Sequence, residues 1–213
     1  MELKWRQFPL GPLQTNAYIL ENENKECIII DPGSEGKRLV KNIEQKGLNP
    51  LAILLTHAHF DHIGAVDDVR EKWGCPVYLH SNEQDWLSNP SLNGSKFFGL
   101  NEEIKAKDAD VLLQEEGQLT IGPFTFEVFE TPGHSPGSVS YYLKALSVVF
   151  SGDALFARSI GRTDLPGGSH RQLIQSIHEK LLVLPEDTIV ASGHGALTTI
   201  INEMNENPFL NGF

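Results

Sequence analysis

The chain has few cysteines, an excess of acidic over basic side chains and no long apolar run, and each feature excludes a class of protein. Its 213 residues include 2 cysteines, Cys27 and Cys75, which are too few for a disulfide framework. The formal net charge of −11 opposes broad contact with nucleic acid, which requires a basic face. No apolar stretch reaches the length of a membrane span, and the start of the chain lacks the apolar core of a signal peptide. We therefore expect a cytoplasmic protein with reduced thiols, no nucleic-acid partner and no membrane association.

The chain also lacks repeats, low-complexity tracts and Gly/Ser linkers, so no feature of its composition divides it into separate domains. A hydrophobic content of 40% and a charged content of 21% are typical of a soluble globular protein. We expect one domain that spans residues 1–213. The sequence leaves the oligomeric state open, a homo-oligomer included.

Short apolar runs alternate with amphipathic segments along the chain. Apolar residues at helical spacing predict helices over 36–46, 63–73, 169–182 and 197–205. Apolar runs bounded by turn residues predict strands over 17–20, 27–30, 51–55, 76–79, 118–121, 124–129, 139–143, 148–151 and 188–191. The loop over 88–107 has no role that the sequence assigns. This mixture of strands and covering helices predicts a layered α/β fold.

Residues 56–62 read Thr-His-Ala-His-Phe-Asp-His and form the densest cluster of metal-binding side chains in the chain. The candidate ligands follow directly after the apolar run 51–55 and are His57, His59, Asp61 and His62. Neutral imidazole and carboxylate together suit zinc, iron or manganese. Four candidates exceed what one tetrahedral ion needs once other donors join, so the cluster favours a site for two metal ions.

Three further candidate ligands follow later predicted strands, each beside a glycine. His134 lies in Thr-Pro-Gly-His-Ser-Pro-Gly, Asp153 in Ser-Gly-Asp and His194 in Ser-Gly-His-Gly. Small neighbours let the backbone approach a central ion without obstruction. Each motif alone is more typical of a simple turn, whereas seven donors at strand ends together indicate a metal site.

With these motifs the chain resembles hydrolases of the metallo-β-lactamase fold, and most closely the short bacterial glyoxalase-II-like members, which are hydroxyacylglutathione hydrolase-like. The resemblance is carried by residues 56–62, 131–137, 151–164 and 192–195, and by the ending Asn-Pro-Phe-Leu over 207–210. It implies a four-layer αβ/βα sandwich with the metals at one edge of its two sheets. It also implies two ligand sets joined by a bridging Asp153. The first set is His57, His59 and His134, and the second is Asp61, His62 and His194.

The activity implied by the resemblance is hydrolysis of a thioester by a dinuclear centre, with zinc as the first choice of metal and iron or manganese as alternatives. Two divalent ions would lower the pKa of a bridging water from about 15.7 towards about 7, so that hydroxide attacks at neutral pH. Asp61 and Asp153 are the two carboxylates expected to take part in catalysis. A thiolate leaving group, with a parent thiol pKa near roughly 8.5, needs little acid assistance. The expected substrate is a small S-2-hydroxyacyl thioester of the lactoylglutathione type.

Three side chains outside the ligand sets are further candidates. Arg162, in the run Gly-Arg-Thr-Asp, stands where glutathione-using relatives carry Gly-Lys-Phe-Tyr, and it could clamp a substrate carboxylate with help from Arg158. Either arginine could equally be a solvated surface side chain. Asp31, in an Asp-Pro-Gly turn, is expected either to orient a ligand imidazole through a hydrogen bond or to be a plain turn aspartate.

Two other interpretations stay open. The Gly-Arg-Thr-Asp run also resembles persulfide dioxygenases of the same superfamily, which hold one iron through two histidines and an aspartate, here His57, His134 and Asp153. One iron per chain with oxygen uptake on glutathione persulfide would overturn hydrolysis, whereas two ions with thiol release would support it. A non-enzymatic, metal-stabilised binding protein is the other interpretation, and the complete ligand set argues against it. Nuclease and β-lactamase activities are not expected.

Overall fold

The computed structural model describes residues 2–99 and 102–211, and they group into two compact units. The first unit comprises the described residues up to 114 together with 121–124, and the second comprises 115–120 together with 125–211. The prediction of one domain across 1–213 stays a prediction. Leu100 and Asn101, which belong to the unassigned loop over 88–107, lie outside the described residues, as do residue 1 and residues 212–213.

The first unit contains a six-stranded sheet in the order β1-β2-β3-β4-β5-β6. Its strands are β1 (Leu3–Leu10), β2 (Thr15–Asn22), β3 (Glu26–Ile30), β4 (Asn49–Leu54), β5 (Val77–His80) and β6 (Val111–Leu113). The first three strands pair antiparallel, and β3 to β6 pair parallel. Parallel strands covered on both faces carry continuous apolar runs, which is why β3 and β4 are readable from the sequence.

Helices α1 (Gly36–Gln45), α2 (Phe60–Ile63) and α3 (Val66–Trp73) belong to the first unit. Leu39 and Ile43 of α1 and Val69 of α3 join the buried core of this sheet. The helix predicted over 63–73 is interrupted between α2 and α3. The cause is tertiary, because the N–H groups of Gly64 and Ala65 donate to carbonyls of the turn at 32–33 instead of continuing the helix.

The second six-stranded sheet has the order β14-β13-β10-β9-β8-β7. Its strands are β7 (Gly117–Ile121), β8 (Phe124–Glu130), β9 (Val139–Leu143), β10 (Val148–Gly152), β13 (Ile189–Ser192) and β14 (Thr198–Thr199). A two-stranded hairpin of β11 (Leu155–Phe156) and β12 (Ser159–Ile160) follows β10. Every predicted strand occurs in one of the two large sheets, with ends displaced by at most two residues.

Two helices, α4 (His170–Ser176) and α5 (Ile200–Glu206), complete the second unit. The side chain of Ser169 caps α4, and the predicted apolar stripe of Leu173, Ile174, Ile177 and Leu181 is buried. The last turn, Ile177–Leu181, is a π-helix and not a continuation of α4. The helix predicted over 197–205 begins at Ile200, because Thr198 and Thr199 pair with β13 as β14. Among the described residues, no helix combines the length and the apolar character that crossing a bilayer requires.

Candidate metal centre

Four of the seven predicted ligands lie in the first unit, in the turn that joins β4 to α2. His57 and His59 precede α2, whereas Asp61 and His62 lie within it. The three imidazoles are buried and Asp61 is partly exposed. The centroid of the His57 ring is 4.8 Å from that of His59 and 4.1 Å from that of His62. A turn of a few residues therefore packs three imidazoles side by side.

Asp31 lies at the end of β3 and is bound to this turn through both carboxylate oxygens. Its Oδ1 accepts the Thr56 N–H at 2.7 Å, and its Oδ2 accepts the Thr56 hydroxyl at 2.6 Å and His62 Nδ1 at 3.0 Å. Asp31, His57 and His62 have donor atoms within 4.8 Å of one another, but hydrogen bonds already occupy the Asp31 carboxylate. The geometry is therefore that of a group that orients the His62 ring. The role itself stays a prediction.

The hydrogen bonds at Nδ1 determine which imidazole nitrogen can bind a metal. The Thr56 hydroxyl has one proton, which it donates to Asp31, so His57 Nδ1, at 3.1 Å, donates to the Thr56 oxygen. His62 Nδ1 donates to Asp31. A neutral imidazole that carries its proton on Nδ1 keeps its lone pair on Nε2. His57 and His62 thus present Nε2 as a metal donor, with the ring orientation held by Thr56 and Asp31.

Glu83 also supports the turn, although the sequence analysis gave it no role. It lies in the 3₁₀ turn Ser81–Glu83 after β5, is fully buried, and accepts the backbone N–H of Ala58 at 2.6 Å. Ala58 lies between His57 and His59, so the carboxylate holds the backbone between two candidate ligands. Glu83 is 25 residues from its partner, and the only signal in the sequence is a carboxylate four residues after a predicted strand.

The other three predicted ligands lie in the second unit, and the strand directions explain why they meet. Strands β8 and β10 run in the same direction because both pair antiparallel with β9, and β13 pairs parallel with β10. All three strands therefore end at one edge of the sheet. His134, Asp153 and His194 follow these strand ends, and the Gly193 N–H donates to the Gly152 carbonyl at 2.7 Å.

Asp153 lies between the two histidines of this unit. Its Oδ2 is 3.6 Å from His134 Nε2 and 3.5 Å from His194 Nε2. Two donors held at about 2.1 Å from one tetrahedral ion lie roughly 3.4 Å apart. Each pair therefore has the spacing of ligands that share an ion, as do His62 Nε2 and Asp61 Oδ2, 3.5 Å apart, in the first unit. One oxygen placed at this distance from two histidines fits a bridging carboxylate.

The segment after the β11–β12 hairpin fixes the His134 ring through its main chain. His134 Nδ1 donates to the Arg162 carbonyl oxygen at 2.7 Å, which again leaves the lone pair on Nε2. Gly161 allows this approach, because a Cβ at that position would overlap the Asp153 carbonyl oxygen and lie 3.2 Å from His134 Cβ. The donor set and its tautomers fit divalent metal ions that accept nitrogen and oxygen ligands.

A family profile described as the metallo-β-lactamase superfamily matches residues 10–194, a range that includes all seven candidate ligands. The chain belongs to the metallo-β-lactamase superfamily. This match and the two large sheets confirm the predicted α/β fold of the metallo-β-lactamase type. A metal-binding cluster of histidine and aspartate in a hydrolase of this superfamily is likewise supported.

Two curated relatives match almost the whole chain. The probable metallo-hydrolase YqgX of Bacillus subtilis (strain 168) is 59% identical over 212 residues, which cover 99% of both chains. The hydroxyacylglutathione hydrolase GloC of Haemophilus influenzae is 41% identical over 205 residues, which cover 95% of this chain and 96% of the relative. Both similarities extend far beyond the ligand motifs.

Three solved structures share the fold along nearly the full length of this chain. The B3 metallo-β-lactamase BLEG-1 superposes with a TM-score of 0.96 at 60% identity, covering 98% of this chain and 100% of that one. TTHA1623, in a di-iron-bound form, gives 0.87 at 44% identity, with coverages of 96% and 100%. ETHE1 from Myxococcus xanthus gives 0.78 at 30% identity, with coverages of 96% and 83%.

The Arg162 guanidinium, a candidate substrate clamp, is already engaged by an acidic neighbour. Its Nε and Nη2 donate to the two oxygens of Asp164, both at 2.7 Å. These hydrogen bonds lower the pKa of Asp164 to about 2 and raise the pKa of Arg162. A substrate carboxylate would have to replace Asp164 at this exposed pair. The proposed clamp stays a prediction.

Arg158, the second candidate arginine, lies in the tight turn between β11 and β12. Its backbone adopts the left-handed region, with φ at 56°, and its N–H donates to Glu203 Oε2 at 2.8 Å. The buried Glu203 carboxylate also accepts the Thr198 hydroxyl at 2.6 Å and Asn207 Nδ2 at 2.8 Å, and Asn207 Nδ2 donates to the Ser159 carbonyl. This network gives the Asn207 motif a structural role. Substrate binding by Arg158 stays a prediction.

Proposed function

We propose that this superfamily member is a dinuclear metal-dependent hydrolase that cleaves S-2-hydroxyacyl thioesters of a small thiol in the cytoplasm. The observation that carries the proposal is the position of Asp153 Oδ2, at 3.6 Å from His134 Nε2 and 3.5 Å from His194 Nε2. One carboxylate oxygen at ligand spacing from two histidines suits a bridge between two ions.

The proposed centre takes His57, His59 and His134 for one ion and Asp61, His62 and His194 for the other, with Asp153 common to both. Zinc is the first choice, and iron or manganese fits the same donors. The di-iron-bound form of TTHA1623 is a reason to include iron in any test. When bound, a pair of divalent ions supplies Lewis acidity to a carbonyl and lowers the pKa of water to about 7.

The residues of the chain contribute position and tautomer. Asp31 and Thr56 hold His62 and His57 with Nε2 available, and the Arg162 carbonyl does the same for His134. Such partners fix ring orientation and raise the basicity of the ligand. Asp61, held by the Thr15 hydroxyl at 2.8 Å, and Asp153 are proposed to act in catalysis by placing the two ions.

Two arguments support a thioester as the substrate. The relative named hydroxyacylglutathione hydrolase GloC aligns with 95% of this chain. In addition, the leaving group derives from a thiol with a pKa of roughly 8.5, so it leaves as a thiolate with little or no protonation. Hydrolysis of a thioester therefore requires no separate general acid among the residues of the chain.

A thiol-release assay over a panel of acyl thioesters tests this function. We expect turnover of 2-hydroxyacyl thioesters by metal-loaded protein, with loss of turnover after chelation and recovery after addition of zinc, iron or manganese. The control is Asp187→Asn, which changes an exposed aspartate of the second unit. Absence of thiol release from every member of the panel with the metal-loaded protein would contradict the proposal.

Two competing activities are to be measured beside thioester hydrolysis. BLEG-1, at 60% identity, is described as a B3 metallo-β-lactamase, so hydrolysis of a chromogenic cephalosporin is the second candidate. Release of an amine is more demanding than release of a thiolate, and for this reason the thioester comes first. The persulfide dioxygenase alternative, with one iron on His57, His134 and Asp153, is tested by oxygen uptake on glutathione persulfide.

A further inference from the structure

A cleft of about 540 Å³ opens in the first unit beside the candidate ligand Asp61. Its walls come from the β1–β2 turn, the β3–α1 turn, α2 and residues 98, 102 and 104, and they include Leu13, Phe60, Phe98 and Ile104. A volume of several hundred Å³ is ordinary for a small-molecule site. Of the residues that line the cleft, Asp61 alone was assigned a function from the sequence.

The side of the cleft nearest the metal turn is built from closely packed backbone. Gly33 and Gly64 both line it, and the Gly64 N–H donates to the Gly33 carbonyl at 2.9 Å. A Cβ at Gly33 would overlap the Asp61 carbonyl oxygen, and a Cβ at Gly64 would overlap the Gly33 carbonyl oxygen. Asp61 is further fixed by the Thr15 hydroxyl. The cleft and the candidate ligand are therefore parts of one tightly packed structure.

The remaining walls are apolar and partly open to solvent. The Phe60 and Phe98 rings pack with centroids 4.9 Å apart, while Leu13 and Phe98 keep 46% and 38% of their surface exposed. Exposed apolar surface of this kind, when it lines a concave site, is a common mark of a ligand-binding groove. Covering it with an apolar group would remove this surface from water.

The charged residues of the cleft argue against an anionic occupant. Among the lining residues in the described part of the chain, Asp61 and Glu102 are the charged ones, and both are acidic. The carboxylates of a thiol such as glutathione would meet like charge here without a cationic partner. A neutral alkyl or aryl group suits both the walls and the charge.

We infer that this cleft receives the apolar tail of the acyl group, so that the preferred substrates are 2-hydroxyacyl thioesters with an alkyl or aryl tail longer than that of lactate. The inference rests on the proposed thioesterase function, because Asp61 belongs both to the cleft and to the proposed metal ligands. The inference goes beyond that function by stating which part of the substrate this cleft recognises, namely the acyl tail and not the thiol.

A series of 2-hydroxyacyl thioesters on one thiol, with tails from lactoyl to 2-hydroxyoctanoyl, tests the inference by kinetics. Each CH₂ buried in the cleft is expected to raise kcat/KM by about fourfold until the cleft is full. A second series varies the alkyl length of the thiol on a constant lactoyl group. Values of kcat/KM that do not depend on the acyl tail, or that depend only on the thiol, would overturn the assignment.

Substitutions at Leu13 locate the effect in the cleft. Leu13→Ser is expected to flatten the dependence on tail length, so that kcat/KM falls more for thioesters with long acyl tails than for the lactoyl thioester. Leu13→Lys is expected to shift the preference towards tails that end in a carboxylate. Val183→Lys is the matched control, since it adds the same charge at a side chain of the second unit that is 69% exposed. An equal shift in the control would overturn the assignment.

Binding of uncleavable thioether analogues separates this inference from the proposed function. Calorimetry on the metal-loaded protein compares analogues with methyl and hexyl tails. If no thioester is cleaved but the hexyl analogue binds more tightly and Leu13→Lys removes that advantage, the cleft assignment holds and the thioesterase proposal fails. If thioesters are cleaved but both analogues bind equally, the cleft assignment fails alone.

Discussion

The candidate ligands of the first unit come from one turn, whereas those of the second unit come from three separate loops. Residues 57–62 are positioned by side chains, the buried carboxylates of Asp31 and Glu83. His134, Asp153 and His194 are positioned by the order of strands in a sheet and by main-chain contacts such as the one between His134 and the Arg162 carbonyl. The comparison shows that the compact motif is held by buried side chains from other segments of the chain, whereas the dispersed one depends on the order and direction of the strands.

Removal of Asp153, the carboxylate proposed to bridge the two ions, should have the largest effect. Asp153→Asn keeps the size of the side chain but removes the charge that lies between His134 and His194. Loss of a partner to a metal ligand costs about 10- to 100-fold, so loss of a bridging ligand should cost at least about 100-fold in thioester turnover. Metal quantification should show that the variant binds at most one ion per chain.

The control for this substitution is Asp187→Asn, at an exposed aspartate of the same unit. It should retain the metal content and the turnover of the original chain. An Asp153→Asn variant with unchanged metal content would show that the two histidines do not depend on this carboxylate. The dispersed cluster would then lack the bridge proposed for it.

Substitution of Asp31, which supports the cluster over 57–62, should have the next largest effect. Asp31 has φ at 47°, a region that asparagine tolerates well, so Asp31→Asn preserves the backbone while weakening the hydrogen bond to His62. We expect metal affinity to fall about 10- to 100-fold, measured by competition with a chelator. Thr56→Val, which removes the hydroxyl that accepts from His57 Nδ1, should cause a loss of the same kind.

Unfolding by urea provides the control for Asp31→Asn. If Asp31 has only a structural role, Asp31→Asn should lower the free energy of unfolding of the metal-free protein and leave the metal affinity of the folded protein unchanged. That outcome would assign Asp31 to the plain turn role. Asp31→Ala, which adds the strain of alanine in a left-handed conformation, should show both effects.

A buried carboxylate of the second unit should affect stability and not metal binding. Glu203 accepts three hydrogen bonds, from the Arg158 N–H, the Thr198 hydroxyl and Asn207 Nδ2. Glu203→Gln turns an amide donor towards some of these donors, so the free energy of unfolding should fall by about 1–3 kcal/mol. Glu206→Gln, at an exposed position of the same helix, should leave it unchanged.

Loss of metal in Glu203→Gln would contradict this comparison, because the hydrogen bonds of the Glu203 network reach the main chain of the β11–β12 hairpin and none of them reaches a candidate ligand. The metal content of the folded variant, measured at 25 °C well below its unfolding transition, decides the question.

The exposed pair of Arg162 and Asp164 should have the smallest effect on stability, because exposed ion pairs contribute little. In the folded protein the pKa of Asp164 is about 2, which is below its ordinary value of 3.8. Any stabilisation by the ion pair is therefore fully present at pH values above 3.8 and is lost as the pH falls through about 2. Asp164→Asn should therefore leave Tm unchanged between pH 6 and 8.

If Arg162 clamps a substrate carboxylate, the same variant should lower KM for anionic thiol carriers, and Arg162→Gln should raise it.

The sequence was sufficient where the signal is local. Strands β3 and β4 are continuous apolar runs, and the turn over 56–62 is recognisable by itself. Strand β1 was missed because basic side chains, Lys4 and Arg6, interrupt its pattern and most of its residues are partly buried. The break between α2 and α3 was missed because it depends on hydrogen bonds from Gly64 and Ala65 to a distant turn.

The supporting carboxylates could not be predicted for the same reason. Glu83 contacts Ala58 across 25 residues and Glu203 contacts Arg158 across 45, and neither lies in a motif. The cleft beside Asp61 combines four separate segments, so only tertiary structure brings its apolar walls together. Asp31 was singled out by its turn motif, but its three hydrogen bonds are visible only in the fold.

The most direct test of the dinuclear proposal is the number of metal ions bound per chain in protein purified without added metal, determined by elemental analysis. The account predicts two ions per chain, and at most one in Asp153→Asn. A single iron per chain, accompanied by oxygen uptake on glutathione persulfide and no thiol release from thioesters, would contradict it.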